Sequence, residues 1–203
     1  MNRSKLGAGA AFVAGVLLIV VPLLVEFVSG DLFVLMALAA LLFLVSLPGL
    51  HRVQGGADGA AGRRGLRMLL IGLIVLVVLI AGADPLDAAV SGSVQDIVET
   101  LFMAFAGSAS LVALVGLVMF GVGMIRAKVL PATWTWVLLL GLVLAIVSET
   151  FEQSLDGVVP TLADVLPPLG FIVGGIGLAM IGRAAWSLAT RPALASDVAT
   201  ATT

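Results

Sequence analysis

The sequence predicts an all-α polytopic membrane protein, a bundle of six transmembrane helices, and three observations predict it. Of 203 residues, 61% are hydrophobic and only 11% are charged, against about 45–50% and about 25% in a soluble domain. Apolar runs of spanning length recur six times, more than a soluble core of this size can bury. Charge is sorted along the chain: under a six-helix threading every Lys and Arg falls on one side, and all Asp and Glu except Asp58 and Asp197 fall on the other. The runs are continuous, as in Leu32–Leu47 and Met68–Ala83. A β-barrel would instead show segments of about ten residues with alternating polarity, so helices are the elements expected to satisfy the backbone in lipid.

The first helix is expected near 6–28. Arg3 and Lys5 precede it, and Gly7, Ala11 and Gly15 recur on one face, where small side chains let helix backbones approach closely. Pro22 stands about one turn before Glu26. The basic start resembles a signal peptide, but the apolar stretch is longer than the usual h-region of about 7–15 residues and a second span follows at once, so an uncleaved helix is expected. The second helix is expected near 32–50. Between it and the third, expected near 67–83, the segment from His51 to Arg67 is rich in Gly and carries Arg52, Arg63, Arg64 and Arg67. That composition predicts a flexible loop, whose arginines set topology and are able to meet anionic lipid headgroups.

The fourth helix is expected near 98–125 and is long enough to tilt. Ser108 and Ser110 are the polar residues near its centre, and Ala106 shares a face with Ser110. Arg126 and Lys128 follow it. The fifth is expected near 132–149, beginning with Trp134 and Trp136 and ending at Glu149, with Glu152 on the same face. The sixth is expected near 163–182. Pro167 and Pro168 should kink or delay it, and Gly170 and Gly174, with Gly177, form a second small-residue face. The segments Ser93–Asp96 and Thr161–Asp164 each place a hydroxyl residue three positions before an acid, the signature of a capped helix start. Residues 1–190 thus form one transmembrane domain, and 191–203, small and polar, a disordered cytoplasmic tail.

The positive-inside rule places the basic segments, and with them both termini, in the cytoplasm. Trp134, Trp136 and Trp186 fall at that boundary, where indole rings favour the headgroups. Arg outnumbers Lys, Asn2 is the one asparagine, and Ala, Gly, Val and Leu dominate. Such usage fits a GC-rich bacterial genome, so the expected location is the bacterial plasma membrane. A weak internal repeat relates Gly72 and Asp87 to Gly141 and Asp156 at an offset of 69, and Ser93 and Asp96 to Thr161 and Asp164 at 68. Helices three–four and five–six are thereby candidates for related hairpins.

Chemistry is sparse. With no cysteine, disulfides, thiol catalysis and thiolate metal sites are excluded. No ionisable residue lies in the middle third of a predicted helix, which counts against a proton-coupled carrier. His51 is far from Ser108 in the threading, which disfavours a serine–histidine pair. No phosphate loop, zinc motif or dinucleotide fingerprint is present, so no catalytic residue and no cofactor is assigned, and nucleic-acid binding has no basis. The acidic face concentrates cations. Glu26, Glu99, Glu149 and Glu152 are its weak cation candidates, since carboxylate oxygens suit Ca²⁺ or Mg²⁺. The expected function is that of a small non-enzymatic membrane component acting through helix packing, with the bilayer and either a second copy or another membrane protein as partners. The alternative is a carrier or channel for a small solute or cation entering from the acidic face.

Overall fold

The computed structural model describes residues 3–25, 33–89, 93–156 and 160–190. They form six helices: α1 Arg3–Val25, α2 Phe33–Val53, α3 Gly59–Ala89, α4 Ser93–Ala127, α5 Ala132–Asp156 and α6 Pro160–Thr190. Each helix touches its neighbours in the chain, and α1 closes the circuit by packing on α6. The helices alternate in direction. The described Lys and Arg residues therefore gather at one end of the bundle, and the acidic positions of α3 to α6 at the other.

Glycine decides how closely the helices pack. A Cβ on Gly7 of α1 would strike the backbone of Gly49 in α2, and one on Gly15 would strike Gly175 and Ala179 of α6. Gly72 of α3 lies against Ala109 and Ala113 of α4, and Gly116 of α4 against Leu69 of α3. Gly141 of α5 lies against Val173 and Gly174 of α6, and Gly177 of α6 against Leu138 of α5. Backbones this close gain dispersion contact along their length, the main attraction between helices where lipid is as apolar as the side chains. The α4–α5 joint differs: the atoms nearest a Cβ on Gly121 belong to the side chain of Leu139.

Leu47, Leu50, Leu69, Phe120, Met124, Leu138, Leu178 and Ile181 fill the core. Large apolar side chains also point outward from every helix, among them Leu23, Leu41, Val78, Phe105, Leu140 and Leu169. So much exposed apolar surface would drive a soluble protein to aggregate; facing acyl chains it carries no penalty. Among the described residues, Arg3–Leu24, Thr100–Ala127 and Val165–Thr190 are helical stretches long and apolar enough to cross a membrane. The shortest, at 22 residues, is about 33 Å long against a hydrocarbon core of about 30 Å. Ala37–Val53 and Ala132–Ser148 are apolar but shorter.

Several boundaries depart from the sequence expectation. The segment expected to be a loop from His51 to Arg67 is mostly helical: α2 continues to Val53 and α3 begins at Gly59. Hydropathy marks the apolar stretch, not the helix, and Ala, Arg, Leu and Met all propagate a helix well. The glycines that suggested flexibility instead form the turn. Gly55, Gly56 and Gly59 have φ of 59°, 83° and 67°, a left-handed region that glycine enters without steric cost. Successive backbone bonds, Gly55 N–H to Arg52 O, Ala57 N–H to Gln54 O and Gly59 N–H to Gly56 O, close it. Pro167 and Pro168 do not delay α6, which starts at Pro160 and carries both within it; it is Pro160 that opens the helix, where a proline needs no N–H partner and has a helix-compatible φ. The helices α3, α5 and α6 likewise outrun their apolar stretches into the regions expected to face headgroups.

Candidate functional site

The expected carboxylate cluster lies largely outside what the structure describes. Glu26 is outside the described residues. Glu99 stands on α4, and Glu149 and Glu152 on α5, with only their helical backbone described. The small-residue candidates are all placed. Gly7 and Gly15 face α2 and α6 as above, and Ala11 is fully buried. Gly170 lies against Ala145 and Gly141 of α5, and Gly174 against Leu142. These faces are turned to partners within the chain.

A cavity of about 200 Å³ sits where the six helices meet. Each helix contributes: Leu18 from α1, Ala39 and Phe43 from α2, Leu69 and Leu76 from α3, Ala113 from α4, Ile146 from α5, Phe171 from α6. Ser110 is its one polar lining residue. At its far end, Ile146 lies one turn before Glu149 and Phe171 one turn after Pro167. Such a lining excludes a hydrated ion, whose lost water nothing here would replace, and admits an apolar molecule.

The buried hydroxyls near the core are already committed. Ser46 donates to Phe43 O at 2.6 Å, and Ser148 to Leu144 O at 2.7 Å. Thr135 reaches Pro131 O at 3.5 Å. Ser108, exposed on α4, donates to Ala104 O at 2.8 Å. It has no contact with His51.

The polar constellation that sequence reasoning missed is at the α2–α3 turn. His51 Nδ1 lies 2.6 Å from Asp58 Oδ2, and the Asp58 side chain is fully buried. With the proton on Nδ1 the imidazole donates, clasping the last turn of α2 to the start of α3. Asp58 also stands at the N-terminus of α3, where a negative charge is favoured. Gly62 makes room for it, since a Cβ there would overlap the Asp58 carboxylate, and Gly123 of α4 closes on Gly62 from the other side. Asp58 Oδ1 and both amide atoms of buried Gln54 have no partner. A histidine seven residues before an aspartate, across a Gly-Gly turn, is the only signal the sequence carried. Among the described residues no group of three His, Asp or Glu side chains is placed to hold a metal ion.

Comparisons with protein-family models, with curated proteins and with solved structures found no match.

Proposed function

We propose that this chain is a non-enzymatic component of a bacterial plasma membrane, spanning it six times with both termini on the basic, cytoplasmic side. The observation that carries this reading is the state of the interior. The buried Ser46 and Ser148 hydroxyls are bonded to carbonyls of their own helix, and the shared cavity is apolar. Groups that bind a polar substrate or transfer a proton must converge, free, on one space; the cavity offers only Ser110, and the unpartnered atoms of Gln54 and Asp58 lie at the α2–α3 turn, outside its lining. The matching registers Gly72–Ala113 and Gly141–Gly174 support hairpins of common plan. Such a component acts through its outer surfaces, toward lipid, a second copy or another membrane protein.

A second reading, a carrier, is favoured by one observation: the cavity is bordered by all six helices. Its lining directs that reading to a small apolar solute instead of a cation. A melting experiment in nanodiscs tests the first reading against a cation carrier. Ca²⁺, Mg²⁺ and Na⁺ at constant ionic strength should give equal, negligible shifts. Filling the cavity with Ala40→Leu should leave the protein folded and at least as stable. A cation that binds only the folded state, at 100 times its dissociation constant, would add about 2.7 kcal/mol. Such a shift, lost on Glu149→Gln or Glu26→Gln, would overturn the first reading in favour of a cation carrier.

A further inference from the structure

We propose that the basic end of α1 is a seat for one anionic diacyl phospholipid. The proposal rests on the membrane orientation inferred above. Two grooves run along the outer side of α1. One, of about 340 Å³, lies between α1 and α6 and is lined by Phe12, Arg183 and Trp186. The other, of about 310 Å³, lies between α1 and α2 and is lined by Lys5 and Val45. The grooves share Gly9, Val13 and Trp186, so they are two lanes on either side of one ridge. Each is lined mostly by apolar side chains and includes one cation.

This is the geometry of a forked ligand with two hydrocarbon arms and a negative head. Gly9 makes the fork: lacking a side chain, it leaves room where the lanes join, and a Cβ there would sit 3.4 Å from the Trp186 ring. Trp186 is 44% exposed and stands where an indole favours the glycerol and headgroup level. Among the described residues, neither Lys5 nor Arg183 has a carboxylate partner; the one ion pair described is His51–Asp58. Both charges are therefore free to meet a phosphodiester. Basic pockets between helices on the cytoplasmic side suit anionic headgroups, each basic residue near the surface adding about fivefold to affinity. The observations commit the seat to a lipid, because a soluble phosphate would leave both apolar lanes unfilled.

The test is native mass spectrometry of the full chain in mild detergent, titrated with dioleoyl phosphatidylglycerol, with dioleoyl phosphatidylcholine, or with glycerol 3-phosphate. The first phosphatidylglycerol should bind about 25-fold more tightly than phosphatidylcholine, and Lys5→Gln and Arg183→Gln should each remove about fivefold. Arg126→Gln with Lys128→Gln, which removes two charges at the same end of the bundle, should leave the preference intact. Gly9→Val should weaken retention of both lipids, and glycerol 3-phosphate should not compete. Equal retention of the two lipids overturns the seat alone. So does an equal loss in the Arg126/Lys128 variant, which would mean diffuse attraction, or full competition by glycerol 3-phosphate, which would mean an anion site without lanes. Retention of neither lipid also overturns the seat; the membrane orientation is read independently, by cysteine labelling from the two sides of the membrane.

Discussion

Asp58 shows how a single residue ties two helices together. Its carboxylate is buried, held by His51 at 2.6 Å, and it occupies space that exists only because residue 62 is glycine. Asp58→Ala would free His51 and leave it half-buried without a partner, so a loss of about 1–3 kcal/mol is expected in denaturant or thermal unfolding. Gln54, by contrast, holds an amide whose atoms have no partner. Gln54→Met keeps the shape and removes the unmet polar demand, and the melting temperature should rise, by the equivalent of about 1 kcal/mol. Lys128 carries a φ of 55° at the end of α4, where glycine is the favoured residue. Lys128→Gly should stabilise by up to about 1 kcal/mol, measured in the same way. The sequence marked Asp58 only as an exception to the charge sorting and Lys128 only as a basic flank, and gave no sign of Gln54, because the role of each depends on chain geometry at a turn. The Gly-rich stretch around Gln54 and Asp58 read as a flexible loop. The same glycines, at positive φ, make a defined corner.

At the scale of the element, the sharpest contrast is between glycines that meet a backbone and those that face open space. Gly141→Leu would force α5 off α6, and Gly72→Leu would force α3 off α4; each should cost about 3 kcal/mol or more, as overpacking at a rigid contact does. Nothing lies within reach of a Cβ on Gly107 of α4, so Gly107→Ala should be neutral or stabilise by up to about 1 kcal/mol through helix propensity. Thermal unfolding of the three variants side by side checks the contrast. The small-residue faces on α1 and α6 were legible in the sequence, since spacing by four is a local property; which helix would occupy them was not. The internal repeat was half legible. Gly72 and Gly141, offset by 69, occupy matching contacts, as do Leu69 and Leu138. Their partners Gly116 and Gly177 are offset by 61, not 68. From Ser93 to Gly116 is 23 residues and from Thr161 to Gly177 is 16, so α4 carries about two extra turns on its acidic side. The sequence match followed the helix starts and could not see the packing register.

The whole molecule is a circuit of six helices with unequal joints. Glycine-mediated backbone contacts join α3 to α4, and α5, α6, α1 and α2 to one another in turn, while α4 meets α5 through side chains. The central cavity lies inside this circuit, and the charges sort to its two ends because successive helices are antiparallel. Class and charge sorting were readable from composition, because transfer into lipid acts on every residue alike. The cavity was not, because it depends on the shapes of side chains from six separated segments. The central claim is that this circuit spans a membrane six times with its basic end in the cytoplasm. The chain has no cysteine, so single cysteines can report it without background. The decisive measurement is labelling of Ala57→Cys, Val129→Cys, Ser29→Cys, Ser91→Cys and Gly157→Cys with a membrane-impermeant maleimide in intact cells and in opened ones. Positions 29, 91 and 157 should react in intact cells, and positions 57 and 129 only after opening. Reaction of position 57 or 129 in intact cells, or protection of any of the other three, would contradict the six-span account.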